Sequence, residues 1–150
     1  MTDTNRKFDA AAEEAWVAEQ RSTVADYLRR EGVKHGAIGE WPAWYVQPYL
    51  AILAIESFVA PCRMGWWSIS GDAPTDYVSF DDADHPRRVM RHFARQWDEV
   101  SSSMLRGEPH PDATIGTPDQ WPELGALLHR RAELLRRYAD DDSIWNDYDT

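Results

Sequence analysis

Apolar residues recur at helical spacing near the start of the chain. Phe8, Ala12, Trp16, Val17, Val24 and Leu28 fall on turns of 3.6 residues, with Glu13, Glu14, Glu19, Arg21 and Arg29 between them. The spacing predicts an amphipathic helix over 8–31. Gly32 is its expected stop, and Arg29 and Arg30 suit the negative end of the helix dipole. A Gly-rich link to Gly39 follows, and then the pattern changes. Pro42 and Pro48 forbid a long helix across Trp41–Pro48. Tyr49–Ile55 is a continuous apolar run. Its length and β-branching suit a buried strand, with a short buried helix as the rival. Met64–Ser70 and Asp76–Phe80 read as strands on either side of the turn-rich stretch Gly71–Thr75.

Helical rhythm returns at Val89, Met90, Phe93, Trp97, Val100 and Met104. Pro86 suits the first turn of this helix, Asp84 is the expected cap, and Gly107 the expected end. Thr117-Pro118-Asp119-Gln120 has the form of a capping box, and Pro122 breaks and restarts the first turn behind it. Leu124, Leu127, Leu128, Leu134, Leu135 and Tyr138 define a last helix to about Ala139. The order helix, strands, helix, helix is that of an α+β domain. It would hold an N-terminal helix, a small antiparallel β-meander and two C-terminal helices packed on the sheet. Residues 1–139 form that single domain, and 140–150 an acidic aromatic tail.

Composition narrows the function classes. A chain of 150 residues with 43% hydrophobic residues suits one folded domain rather than wholesale disorder. No apolar run approaches a membrane span, and the polar N-terminus has no signal-peptide core. One cysteine, Cys62, makes no internal disulfide, so the expected compartment is the cytoplasm. A net charge of −10 argues against general nucleic-acid binding, which needs a basic footprint. The charge is uneven. Five carboxylates and no cation lie in the tail, whereas Arg87, Arg88, Arg91, Arg95 and Arg130, Arg131, Arg136, Arg137 form two clusters on the last helices. Tail and clusters either neutralise one another or meet oppositely charged partners.

Several strings resemble a known family. They are Glu40-Trp41-Pro42-Ala43-Trp44, Pro48-Tyr49, Ala54-Ile55-Glu56-Ser57, Gly65-Trp66-Trp67-Ser68-Ile69-Ser70-Gly71-Asp72, Pro74-Thr75-Asp76-Tyr77 and Asp140-Asp141-Asp142-Ser143-Ile144-Trp145. Together they resemble the DUF4826 family, small bacterial proteins known only as a domain of unknown function. The resemblance covers nearly the whole chain. It implies a bacterial, cytoplasmic, single-domain protein and brings no catalytic residue with it.

Three places are candidates for a site. Asp72 and Asp76, with Tyr77, flank a rigid turn and would share a proton or cation if they converged, although turn chemistry accounts for them as well. Glu40 and Glu56 form the second. Glu56 ends an apolar run, where a desolvated carboxylate suits acid catalysis and a buried ion pair is the plainer role. The tryptophans are the third. Trp16 and Trp97 belong to apolar stripes and are expected core. Trp66 and Trp67 are adjacent on a strand and must face opposite sides. Trp41, Trp44, Trp121 and Trp145 sit near element ends. No His/Cys spacing suggests a metal, no motif suggests a cofactor or nucleotide, and Ser68 and Ser70 lack a nucleophile elbow.

Two readings follow. The first is a small acidic protein-binding module of the immunity or antitoxin type, using Asp140, Asp141, Asp142 and Trp145 against a partner with a basic surface. The second is a small-molecule-binding domain or small enzyme, with Glu40, Trp41, Trp44, Glu56, Trp67, Asp72 and an arginine from residues 87–95 around one pocket; Trp66, Asp76 and Tyr77 are further candidates for binding a ligand or partner.

Overall fold

The computed structural model describes residues 9–60, 63–110 and 116–148, so Phe8 and Cys62 lie outside it. The chain is α+β and divides into two compact units, Met1–Asp82 and Ala83–Thr150.

In the first unit Asp9 starts helix α1 (Ala10–Arg30) by accepting a hydrogen bond from the Ala12 N–H at 3.1 Å. Gly32, at φ +72°, follows its C-cap. Four strands then form an antiparallel meander in the order β1-β2-β3-β4: β1 (Trp44–Val46), β2 (Leu50–Glu56), β3 (Met64–Gly71) and β4 (Asp76–Ser79). The apolar run is therefore a strand. Its residues are buried at consecutive positions, Leu50 to Leu53, so burial on both faces replaced the alternation that would have marked it as β in the sequence. β1 has no signal in the sequence because it is three residues long and flanked by prolines.

Pairing register sorts the side chains by face. Tyr45, Ala51 and Ser70 are opposite one another, as are Leu53, Ser68 and Tyr77, and as are Ile55 and Trp66. This face packs against α1, where Val24 and Leu28 join Ala51, Leu53 and Ile55 in the core, and Gln20 accepts a bond from the Ser70 hydroxyl at 2.7 Å. Trp44, Ile52 and Ile69 form a row on the other face, as do Trp67 and Val78. Beyond β1, residues 36–39 continue the edge: the Gly36 N–H donates to Glu56 O and the Gly39 N–H to Ala54 O. At the far end Gly71 has φ +126°, and a Cβ there would stand 2.2 Å from the Tyr49 carbonyl oxygen, so only glycine fits.

The second unit holds α2 (Pro86–Leu105), a 3-10 turn (Pro118–Gln120), α3 (Trp121–Asp140) and α4 (Asp142–Tyr148). The cap of α2 is His85, not the expected Asp84. Pro86 forces the residue before it into an extended conformation, which is the N-cap geometry, and His85 Nδ1 accepts from the Arg87 N–H at 3.0 Å. Asp84 instead pairs with Arg88 one turn on. The capping box at Thr117 and Gln120 is present, and α3 restarts at Trp121 as Pro122 predicts. α3 turns Trp121, Gly125, Leu128, Ala132, Leu135 and Ala139 inward at steps of four and three, and α2 packs against it. A Cβ on Gly125 would come within 3.1 Å of the Leu105 side chain, so glycine lets the helices approach there. The segment read as a tail is helix α4 over most of its length. Trp145 is buried, and its indole N–H donates to Tyr138 O at 2.9 Å.

Candidate functional site

The first unit builds one exposed aromatic corner. Glu13 and Trp16, three apart on α1, lie on neighbouring positions of the helix surface. Both reach Tyr45 on β1. The Tyr45 hydroxyl donates to Glu13 Oε2 at 2.7 Å, and the Trp16 and Tyr45 ring centroids are 6.0 Å apart. Trp41 meets the same phenol ring edge-on, at 5.8 Å and 88°. Even so, 46% of Trp41 stays open to solvent. Arg21 fixes the segment that leads in, its Nε donating to Gly39 O at 2.9 Å and its Nη2 to Ile38 O at 3.2 Å. The exposed Glu40 is carried beside Trp41.

The electrostatics of this corner are acidic. Hydrogen bonding to Glu13 raises the Tyr45 pKa, burial and the Glu13 charge add to it, and the neighbouring Trp41 indole works the other way. The phenol therefore remains a neutral donor. Residues 1–82 contain thirteen carboxylates against seven Lys and Arg, so the surrounding unit shares the sign.

The other candidates are dispersed. Trp44 and Trp67 lie on the face opposite to Tyr45 and Trp66, so the tryptophans do not line one pocket. Trp67 is buried and stacks on Phe80 with centroids 6.2 Å apart. Trp66 packs on the α1 side of the sheet. Glu56, half-buried, ends β2, whereas Asp72 follows β3 beside Tyr49 at the other end of the sheet. At the strand rise this places them roughly 20 Å apart. Asp76 Oδ1 accepts from the Tyr77 N–H at 2.8 Å and from the Tyr27 hydroxyl at 3.5 Å. Burial first, and then the Asp76 charge, raises the Tyr27 pKa. Trp97 and Trp121 are buried. Trp16 is only half-buried, because it sits over the short edge strand rather than the sheet centre.

In the second unit the acidic block and the arginines meet each other. Arg87 donates through Nε to Ala139 O at 2.6 Å and pairs with Asp142, and Arg91 lies 3.6 Å from Asp140. Asp98 accepts from Arg136 at 2.8 Å and lies 3.4 Å from His129. Asp140, Asp141 and Asp142 are exposed, but Trp145 is inside and unavailable as a surface anchor. Asp84, His85, Arg87, Arg88 and Arg91 line a shallow depression of about 400 Å³. Among the described residues no group of His, Cys, Asp or Glu can hold a metal ion. No described helix is long and apolar enough to cross a membrane.

Glu13, Trp16 and Tyr45 were missed as site residues in the sequence. No sequence signal placed them there, because β1 is too short to show a period; once it is a strand, alternation puts Trp44 and Tyr45 on opposite faces.

A family model described as "Domain of unknown function (DUF4826)" matches residues 10–145. No curated protein matches the chain. No solved structure matches it either.

Proposed function

The chain belongs to a family defined as a domain of unknown function (DUF4826), and since that label carries no activity, we propose from the site alone that the protein is a small acidic protein-binding module. Its partner presents a basic surface, and the encounter takes place in the bacterial cytoplasm. An inhibitor of the immunity or antitoxin type is the form of module that this reading favours. One observation carries it: Trp41 is nearly half exposed, yet its ring is set edge-on against Tyr45, whose hydroxyl donates to Glu13. A solvent-facing tryptophan held in place by its neighbours has little side-chain freedom left to lose on binding. Aromatic anchors of this kind dominate binding energy, and surrounding carboxylates steer a basic partner toward them.

The test is affinity capture from the native host with the wild-type chain and with Trp41→Ala. The expected result is a basic protein retained by the wild type, released by raised salt, and lost with Trp41→Ala. Retention of the same proteins by both chains overturns the reading.

A further inference from the structure

We infer that the basic group taken at this corner is an arginine guanidinium, stacked on Trp41 and paired with Glu13. The inference rests on the protein-binding reading and names the side chain that the partner supplies. Three observations lead to it. Trp41 and Glu13 meet the same side chain: the Trp41 and Tyr45 ring centroids are 5.8 Å apart and edge-on, and Glu13 Oε2 accepts from the Tyr45 hydroxyl at 2.7 Å. A guanidinium lying on the indole is thereby brought beside the carboxylate, to which it can donate in its own plane.

Next, Glu13 has no cationic partner among the described residues. Arg21, the nearest arginine along α1, is committed to the carbonyls of Ile38 and Gly39. Glu13 spends Oε2 on Tyr45, and Oε1 takes no hydrogen bond from the described residues. Last, the rings are fixed. Tyr45 is held by Trp16 on one side and Trp41 on the other, with its hydroxyl bonded to Glu13. The corner is built before the ligand arrives.

These features select between the two common cationic side chains. A guanidinium is planar, weakly hydrated and carries five donors in its plane, so it stacks on an indole and pairs with a carboxylate at once. An ammonium is a compact, strongly hydrated point charge and cannot satisfy both contacts equally.

The experiment uses the full chain, titrated with tetra-arginine and tetra-lysine peptides and read by calorimetry at two salt concentrations. Tetra-arginine is expected to bind about three- to five-fold tighter than tetra-lysine. Trp41→Ala and Glu13→Gln should each weaken tetra-arginine about three- to five-fold and bring the two peptides level. Trp41→Phe, which keeps a ring and the fold, should restore part of the preference. Equal affinities for the two peptides in the wild type overturn the inference, as does an arginine preference that survives Trp41→Ala. An absence of binding overturns it too. The outcomes separate this inference from the reading beneath it. A partner captured through Trp41 without arginine preference removes the inference alone. Peptide selectivity with no captured partner removes the protein-binding reading alone.

Discussion

Two phenols in the first unit keep their protons past the usual tyrosine range, for different reasons. At Tyr27 burial comes first and the Asp76 charge second. At Tyr45 the hydrogen bond to Glu13 comes first. In both cases the folded state favours the neutral form. The stabilisation is therefore complete below the ordinary value of about 10 and is lost as pH rises through the raised folded value. Ultraviolet titration of the folded chain should show a late phenolate component, reduced in Tyr27→Phe. A titration in which every tyrosine ionises near the ordinary value would contradict this. Ser68 poses the opposite case. Its hydroxyl is buried with no hydrogen-bond partner among the described residues, so Ser68→Ala should be neutral or stabilise the fold by up to about 1 kcal/mol in chemical denaturation. Gly71→Ala should cost about 2 kcal/mol or more, because a Cβ meets the Tyr49 carbonyl in a backbone conformation that L-residues avoid. Both outcomes depend on cross-strand neighbours, which one-dimensional spacing does not show.

Among the elements, α4 is the instructive one. Its acidic block reads as a solvated tail, and apart from Tyr148 only Ile144 and Trp145 mark it as apolar. Yet Trp145 is inside, bonded to Tyr138 O and edge-on to His85 at 5.5 Å. The Asp142 side chain remains 77% exposed in its pair with Arg87. Burial and exposed charge differ in magnitude, which makes the comparison decisive. Trp145→Ala should cost about 3–5 kcal/mol of stability. Asp142→Asn should cost less than about 1 kcal/mol, since exposed ion pairs contribute little. Equal losses in thermal unfolding would mean that the ion pair, not the indole, holds the helix. The longer helices were easier to read. α2 and α3 repeat apolar residues at steps of three and four over twenty residues each, and that rhythm needs no tertiary information. β1 was illegible for the converse reason: three residues between prolines contain no period.

At the scale of the whole molecule, charge acts on encounter more than on fold. The chain carries −10, with thirteen carboxylates against seven cations before residue 83. Attraction for a basic partner should weaken as salt rises, because screening shortens its reach from about 10 Å at 0.1 M to about 3 Å at 1 M. Trp41→Ala should lower affinity at every salt concentration, whereas Glu40→Gln should act mainly at low salt through the association rate. Surface-plasmon kinetics separate the two, and a salt-independent association rate would remove charge steering from the account.

The α+β class, the positions of the long helices, the β3–β4 hairpin, the capping box and the family were all legible in the sequence, whereas the sequence leaves β2 between strand and buried helix. Each legible feature is written in local periodicity, turn chemistry or a string of residues. Which side chains meet depends on the packing of the elements. The tertiary structure put Trp44 and Tyr45 on opposite faces, brought Glu13 and Trp16 from α1 onto Tyr45, and turned Trp145 inward while leaving Trp41 open. Register accounts for this. A strand's period of two makes neighbours diverge, and only the pairing of strands and the seat of a helix determine which distant residue each one finds.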